Sequence, residues 1–414
     1  MALAGDLPVV VVFIFDTAIL DDLPSTDARV SHIHQQLENL NEMLARHKTT
    51  LLTYHGSVAA SFEILCKELT VKSVFCNHDY EPYARARDNE IKVWLKSRNI
   101  EFRSFKDQVI YEKNEILKSN GTPYTVFTPY MKQWKASIIG EPGVLQSNFK
   151  VNGNFLKLQK KRLNDLRSIG FEPQNLKTSE ACLPGAAMLS DYHKFRDYPS
   201  SNGTSRLSVH LRFGTLSIRK LVSLALEHSE TWLNELIWRE FYMMILWHFP
   251  YVVNRCFKKE YDFIPWKNDE HEFGRWCRGE TGYPFVDAGM RELNNTGYMH
   301  NRLRMVTASF LTKHLLINWQ WGEAYFAEKL LDFELSSNNG GWQWAAGCGC
   351  DAAPYFRIFN PLLQATKFDP ESRYIKNWVT DLNQPGYPQP IIDHQFARKR
   401  ALQTYKQTLE NNKS

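Results

Sequence analysis

Short apolar runs alternate with amphipathic stretches over the first hundred residues. Val9 to Phe15 is an almost unbroken β-branched and aromatic run ending on Asp16, the pattern of a buried parallel strand with a polar residue at its carboxyl end. Helical spacing follows from Val30 to His47, then a strand from Thr49 to Thr53 and a helix around Ala59 to Leu69. Val71 to Asn77 reads as a third strand, Tyr83 to Arg98 as a third helix, and Glu101 to Phe105 as a short strand. This alternation predicts an α/β parallel sheet covered on both faces. The strand ends near Asp16 and Asn77 to Tyr80 are where such a sheet places a ligand. This half holds no Gly-x-Gly-x-x-Gly and no phosphate-loop lysine motif, so its residues alone assign none.

The pattern changes from Gly121. Pro123 to Pro129 is an extended aromatic segment, and the stretch up to about Ser190 reads as a connector with one or two short helices. Its basic cluster of Lys157, Lys160, Lys161 and Arg162 reads as a solvated face. Beyond Tyr192 apolar residues recur at helical spacing in Trp232 to His248, Tyr283 to Asn294, His300 to Leu316 and Gly322 to Leu331. The expected organisation is an α/β domain over 1–125, a connector over 126–190 and an all-helical domain over 191–410.

Composition adds one unusual feature to this picture. Of 12 tryptophans in the 414 residues, ten fall between Trp232 and Trp378, which suits either a large helical core or an aromatic cofactor pocket. The net charge of +5 permits nucleic-acid binding without requiring it. Seven scattered cysteines with no Cys-x-x-Cys pair point to a reducing cytoplasm and away from a zinc or iron–sulfur site. The start has no signal-peptide pattern, and no apolar run is long enough to span a membrane. With no coiled-coil pattern, a monomer is expected.

Four groups of residues carry candidate chemistry. Asn338-Asn-Gly-Gly-Trp-Gln-Trp344 puts amides, permissive backbone and indoles together, as either a helix-start turn with core tryptophans or a cofactor contact. Thr204, Ser205, Arg206, Leu207 and Ser208 offer hydroxyls, backbone N–H groups and a charge suited to a diphosphate, although Ser and Thr before a helix are usually only caps. Tyr192 and Arg196, four apart, would close over the same ligand. Arg304, Asp332, Glu334 and Asn338 form either an ion-paired core or contacts to a heteroatom-rich ring. Trp238, Asn301, Met305 and Trp344 would make a stacking-competent concavity with one amide.

Read together, Tyr192 to Gly214, Trp232 to Tyr242, Thr281-Gly-Tyr-Pro284, Met299-His-Asn-Arg-Leu-Arg-Met305 and Asn338 to Pro361 resemble the photolyase and cryptochrome family. The likeness is strongest to its microbial members that repair cyclobutane pyrimidine dimers. The resemblance implies a Rossmann-like antenna domain followed by an all-helical domain that binds FAD. The cofactor would lie against Tyr192, Thr204, Ser205, Arg206, Leu207 and Ser208, with Arg304, Asp332 and Glu334 around the ring and Asn338 beside its reactive nitrogen. Glu334 stands where the family has Asp. The resemblance also implies that Glu235, Trp238, Asn301, Met305 and Trp344 receive a flipped-out dimer, because crosslinked bases cannot reach a buried flavin from inside a duplex. Arg302, Arg357 and Lys367 would contact DNA phosphates. Trp342, Trp319 and Trp266 match the family's electron-conducting tryptophans. Histidines mark the relatives that act on the (6-4) lesion, and here Asn301 and Met305 take their places.

The resemblance also exposes a departure. Family members open with a strand and an Arg-Arg-Asp-Leu-Arg-Leu motif ahead of the element matching Val9 to Asp16, and this sequence has neither. The antenna domain is therefore expected to be incomplete, with unpaired strand edges, and a start placed too far downstream is the preferred explanation. Its second chromophore, a folate, a deazaflavin or a flavin, is left open. Two other functions are weighed: a blue-light photosensor without repair, and a light-independent protein that binds damaged DNA. Against the first stand the complete dimer-pocket set and a tail that stops shortly after Tyr405.

Overall fold

Strand β1 (Val11–Asp16) pairs in parallel with β2 (Leu51–Gly56), Val11 opposite Leu51 and Asp16 opposite Gly56. Helix α1 (Ala28–Arg46) connects them, capped by the Asp27 side chain, which accepts from the Arg29 N–H. Helix α2 (Val58–Glu68) leads to β3 (Ser73–Asn77), and α3 (Pro82–Lys96) leads to β4 (Glu101–Phe105), which pairs in parallel with β3. The computed structural model describes residues 2–146, 154–175 and 181–412, so the connector read over 126–190 lies partly outside the described residues.

Two differences from the expected sheet have physical causes. The second strand begins at Leu51 rather than Thr49, because the Thr50 hydroxyl and the Leu51 N–H both donate to the Asn41 side-chain oxygen of α1. Ladder pairing starts at that anchor, with Leu51 opposite Val11. The second difference is that the described strands form two two-stranded sheets instead of one. Each pair has its own apolar core. Phe15, Val30, Leu37 and Leu51 pack with Phe155, Ile169 and Phe171 under β1 and β2, while Ile91, Leu95 and Ile100 form a smaller cluster near β3 and β4.

Contacts group the chain into two compact units: Met1–Val109 with Gln146–Thr178 and Phe213–Thr215, and Ile110–Leu145 with Ser179–Arg212 and Leu216–Ser414. The first holds both sheets. The second is helical and holds every candidate site residue of the cofactor and dimer sets.

In the helical unit, α4 (Phe127–Gly140) buries Phe127, Tyr130, Trp134 and Ile138, a helical stripe that packs on a later helix, α7. Before α7 come the one-turn α5 (Ser208–Arg212) and α6 (Ile218–His228). Helix α7 (Glu230–His248) carries Glu240, whose buried carboxylate accepts from the N–H groups of Ile110 and Tyr111, Trp134 Nε1 and the Tyr130 hydroxyl. Burial pushes its pKa up to about 7 in spite of these four donors. Next are α8 (Glu270–Arg278), α9 (Pro284–Thr296) and α10 (Asn301–Ser309), the last passing into a π-helical turn over Phe310–His314. Helices α11 (Trp319–Lys329) and α12 (Leu335–Ala346) pack on each other, and α12 also packs on α7 and α10. The chain closes with α13 (Pro361–Phe368), α14 (Arg373–Trp378) and α15 (His394–Asn411).

Candidate functional site

Helix α12 begins at Leu335, so Asn338 to Trp344 lies inside a helix and not at a helix-start turn. Two asparagines and two glycines are poor helix formers, and packing compensates. Gly340 faces the Tyr242 ring so closely that a Cβ would come within 2.2 Å of Cδ1. On the buried side, Asn339 Nδ2 and Gln343 Nε2 both donate to the Val252 carbonyl at 3.0 Å, and Gln343 Oε1 accepts from the Phe257 N–H at 2.8 Å. Asn339 and Gln343 are thus anchors holding the 252–257 segment against α12.

The opposite side of α12 lines a cavity of about 510 Å³. That volume falls within the roughly 300–1,000 Å³ of ligand-sized pockets. Gly341 opens directly on it, since a Cβ there would meet no atom within 4 Å. Thr204, Ser205, Arg206, Leu207 and Ser208 form one wall with Tyr192. Arg206 holds a left-handed backbone (φ 50°) and lies over the Tyr298 ring at 4.8 Å. Arg304 comes from α10; its Nη2 donates to both Asp332 carboxylate oxygens, at 2.8 and 3.0 Å, while its Nε donates to the Met299 carbonyl. Burial works against the Arg304 charge, but the Asp332 carboxylate outweighs it and raises the pKa.

Glu334 also lines the cavity, yet the Ser336 and Ser337 hydroxyls occupy both of its carboxylate oxygens. Asn338 Nδ2 donates to the Glu323 backbone carbonyl at 3.1 Å, which leaves its Oδ1 for a ligand. Glu323 itself was not legible in the sequence as a site residue. Burial pushes its pKa up to about 7, against the lowering effect of its bond from Asn339. A half-buried carboxyl bonded to the amide next to Asn338 is the kind of perturbed acid that marks functional sites.

Glu235, Trp238, Asn301, Met305 and Trp344 line the same cavity. Arg196 donates to Glu235 at 2.6 Å and lies over the Tyr192 ring at 5.4 Å, as the spacing of 192 and 196 suggested. One face of Trp238 is taken by Phe127, stacked at 3.8 Å and 7°, and the rings of Phe241 and Tyr242 lie 5.6 and 5.4 Å from it. Asn301 Nδ2 reaches Met305 Sδ at 3.8 Å along one face of α10.

Trp342 lines the cavity as well, whereas Trp319 is buried and Trp266 partly buried in the core behind it. Arg302, Arg357 and Lys367 lie outside the cavity lining. Arg302 is already committed, donating to Asp197 at 2.7 Å and covering the Phe368 ring at 4.0 Å. Arg357 and Lys367 are exposed, near the rings of Trp344 and Phe368 respectively.

These features fit a dinucleotide with a fused ring. Hydroxyls and an arginine suit a diphosphate, Trp342 and Trp344 offer π surface, and Asn338 and the Arg304–Asp332 pair offer polar contacts for ring heteroatoms. The fold and site thus define an α/β and helical protein with a flavin-sized pocket in its helical unit.

Comparison with known proteins agrees. A sequence profile for DNA photolyase matches residues 1–145, and one for the FAD binding domain of DNA photolyase matches residues 232–385. The deoxyribodipyrimidine photo-lyase of Escherichia coli is 39% identical over 417 residues, covering 90% of this chain and 87% of its own length. A bacterial class III photolyase from Agrobacterium tumefaciens superposes with a TM-score of 0.82 at 31% identity, over 98% of this chain and 92% of its own. An archaeal photolyase from Sulfolobus tokodaii, solved with two FAD molecules and implicating a novel light-harvesting cofactor, gives 0.80 at 31% identity over 98% and 95%. The chain belongs to the DNA photolyase family.

Proposed function

We propose that this protein is a deoxyribodipyrimidine photo-lyase that uses blue light and FAD to split cyclobutane pyrimidine dimers in DNA. The observation that carries the reading is that one cavity brings the phosphate-type wall of 204–208, Asn338, and the set Glu235, Trp238, Asn301, Met305 and Trp344 to a shared space. When bound, reduced FAD supplies the photoexcited electron that opens the cyclobutane ring and takes it back afterwards.

The chain's own residues position the reactants. Thr204, Ser205 and Ser208 would hold phosphate oxygens of the cofactor, and Arg304, fixed by Asp332, would supply a polar contact to its ring. Asn338 presents Oδ1 because its N–H is occupied by Glu323. Glu235, oriented by Arg196, hydrogen-bonds a pyrimidine of the flipped dimer and stabilises charge as it develops there. Trp238 and Trp344, both on the cavity lining, stack the extruded bases. Arg357 and Lys367 contact backbone phosphates, while Arg302 braces the rim through Asp197 and Phe368.

We read the protein as a cytoplasmic monomer, a reading supported by its scattered cysteines and the lack of a coiled-coil pattern. A second chromophore in the α/β unit belongs to the proposal, and the archaeal neighbour's two FAD molecules make flavin the class to test first. A dark binding assay tests the lesion site. A duplex with one thymine dimer should be held at least about tenfold more tightly than undamaged duplex, as expected for a pocket that accepts an extruded lesion. Equal retention would contradict the assignment.

A further inference from the structure

Trp342, on the cavity wall, has two aromatic ring contacts: Phe326 at 4.9 Å and Trp276 at 6.0 Å, both edge-on. Trp276 is fully buried, and its Nε1 donates to the Thr307 carbonyl at 3.1 Å. Its ring lies 5.8 Å from that of Tyr325 at 63°. Tyr325 is partly exposed, and its hydroxyl donates to Asn294 Oδ1 at 2.7 Å on the surface. Two successive ring contacts therefore lead from the cavity wall to a solvent-accessible phenol. These residues come from α12, α8 and α11, so a helical periodicity could not bring them together on the page of the sequence.

We infer that Trp342, Trp276 and Tyr325 form an electron relay that feeds a flavin in the cavity, in addition to Trp319 and Trp266. The inference rests on the proposed flavin site. Electron tunnelling falls off exponentially with the gap between donor and acceptor, and indole and phenol are the side chains in this cluster that oxidise readily. Phe273, also 5.8 Å from Trp276, and Phe326 are excluded on that ground. Photoexcited oxidised flavin takes one electron from Trp342, Trp276 refills Trp342, and Tyr325 refills Trp276. Tyr325 loses its phenolic proton to solvent as it gives up the electron. An external thiol then returns an electron and a proton to the tyrosyl radical and becomes a thiyl radical, so the charge balances.

The test is flavin photoreduction under blue light with a thiol donor, in FAD-loaded protein, followed by transient absorption. In a Trp319→Phe background photoreduction should persist, and adding either Trp276→Phe or Tyr325→Phe should slow it at least tenfold. The tyrosyl-radical absorbance should be present in the Trp319→Phe protein and vanish with Tyr325→Phe. Tyr325→Phe keeps the ring and its packing, so it reads the relay even if Trp276→Phe folds poorly. Complete loss of photoreduction in Trp319→Phe alone, or no further slowing from either added change, would overturn the relay. Repair by protein reduced chemically with dithionite separates the two claims: Trp276→Phe and Tyr325→Phe single variants should then repair normally if the photolyase reading holds, whatever the relay does. Failure of dithionite-reduced wild type to repair would count against that reading, and with it the basis of the relay.

Discussion

Asn338 gives its side-chain N–H to the backbone carbonyl of Glu323 at 3.1 Å, while the neighbouring Asn339 donates to the Glu323 carboxyl at 3.3 Å. One residue of α11 thus sets the orientation of two consecutive amides on α12. Burial keeps the Glu323 carboxyl protonated well above the ordinary range of a glutamic acid, up to about pH 7.

That pKa carries a stability signature. The folded-state value is raised, so below the unfolded value near 4.5 both states hold the proton and there is no penalty. As pH climbs from there toward 7 the unfolded chain ionises first and the folded protein loses stability. Glu323→Gln removes this dependence. Going from pH 5 to pH 8, the variant should gain on wild type by about 2.5 kcal/mol, because over the roughly two pH units from 5 to 7 only the unfolded carboxyl is ionised, at about 1.36 kcal/mol per unit. Denaturant unfolding at the two pH values measures it, and a constant gap would contradict a Glu323 carboxyl held neutral in the folded protein.

The two glycines of α12 predict opposite behaviour. Gly340→Ala drives a methyl into Tyr242, which should cost about 1–3 kcal/mol and lower the melting temperature with or without FAD. Gly341→Ala meets no protein atom, so the fold should hold or gain about 0.5–1 kcal/mol from the better helix former. It should nonetheless lower FAD content, because the methyl enters the cavity. Melting curves and bound-flavin absorbance distinguish the two, and full FAD loading of Gly341→Ala would place the ring elsewhere.

Glu235 and Arg196 predict a rate effect. Glu235→Gln keeps shape and loses charge, and repair should slow by roughly tenfold to a hundredfold under saturating substrate. Arg196→Met should slow repair less in a Glu235→Gln background than in wild type, since the arginine acts through the carboxylate. Additive losses would argue that each touches DNA on its own.

Salt dependence separates the rim residues. Removing Arg357 or Lys367 should each reduce the slope of log affinity against log salt by roughly one. Arg302→Ala should change that slope little, because its charge is already matched by Asp197. A full unit of change for Arg302 would mean that DNA displaces that pair.

Much of this architecture was legible in the chain itself. The run Val11 to Asp16 and the apolar spacing of α7 stood out because one periodicity dominated each. The start of β2 did not, because Asn41 on another element decides it. Asn338 to Trp344 looked like a turn because asparagine and glycine disfavour helix, and only the tertiary partners Tyr242, Val252 and Phe257 reverse that preference. Glu323 and Trp276 gave no local signal at all. Their importance lies in neighbours contributed by other helices, Asn338 and Asn339 for one and Trp342 and Tyr325 for the other.

The measurement that bears most directly on the whole account is loss of cyclobutane dimers from a defined thymine-dimer oligonucleotide, using protein with reduced FAD, under blue light and in the dark, beside a (6-4) substrate. Light-dependent repair of the cyclobutane lesion alone is the expected result. An unchanged cyclobutane lesion after illumination of protein with bound, reduced FAD would contradict it.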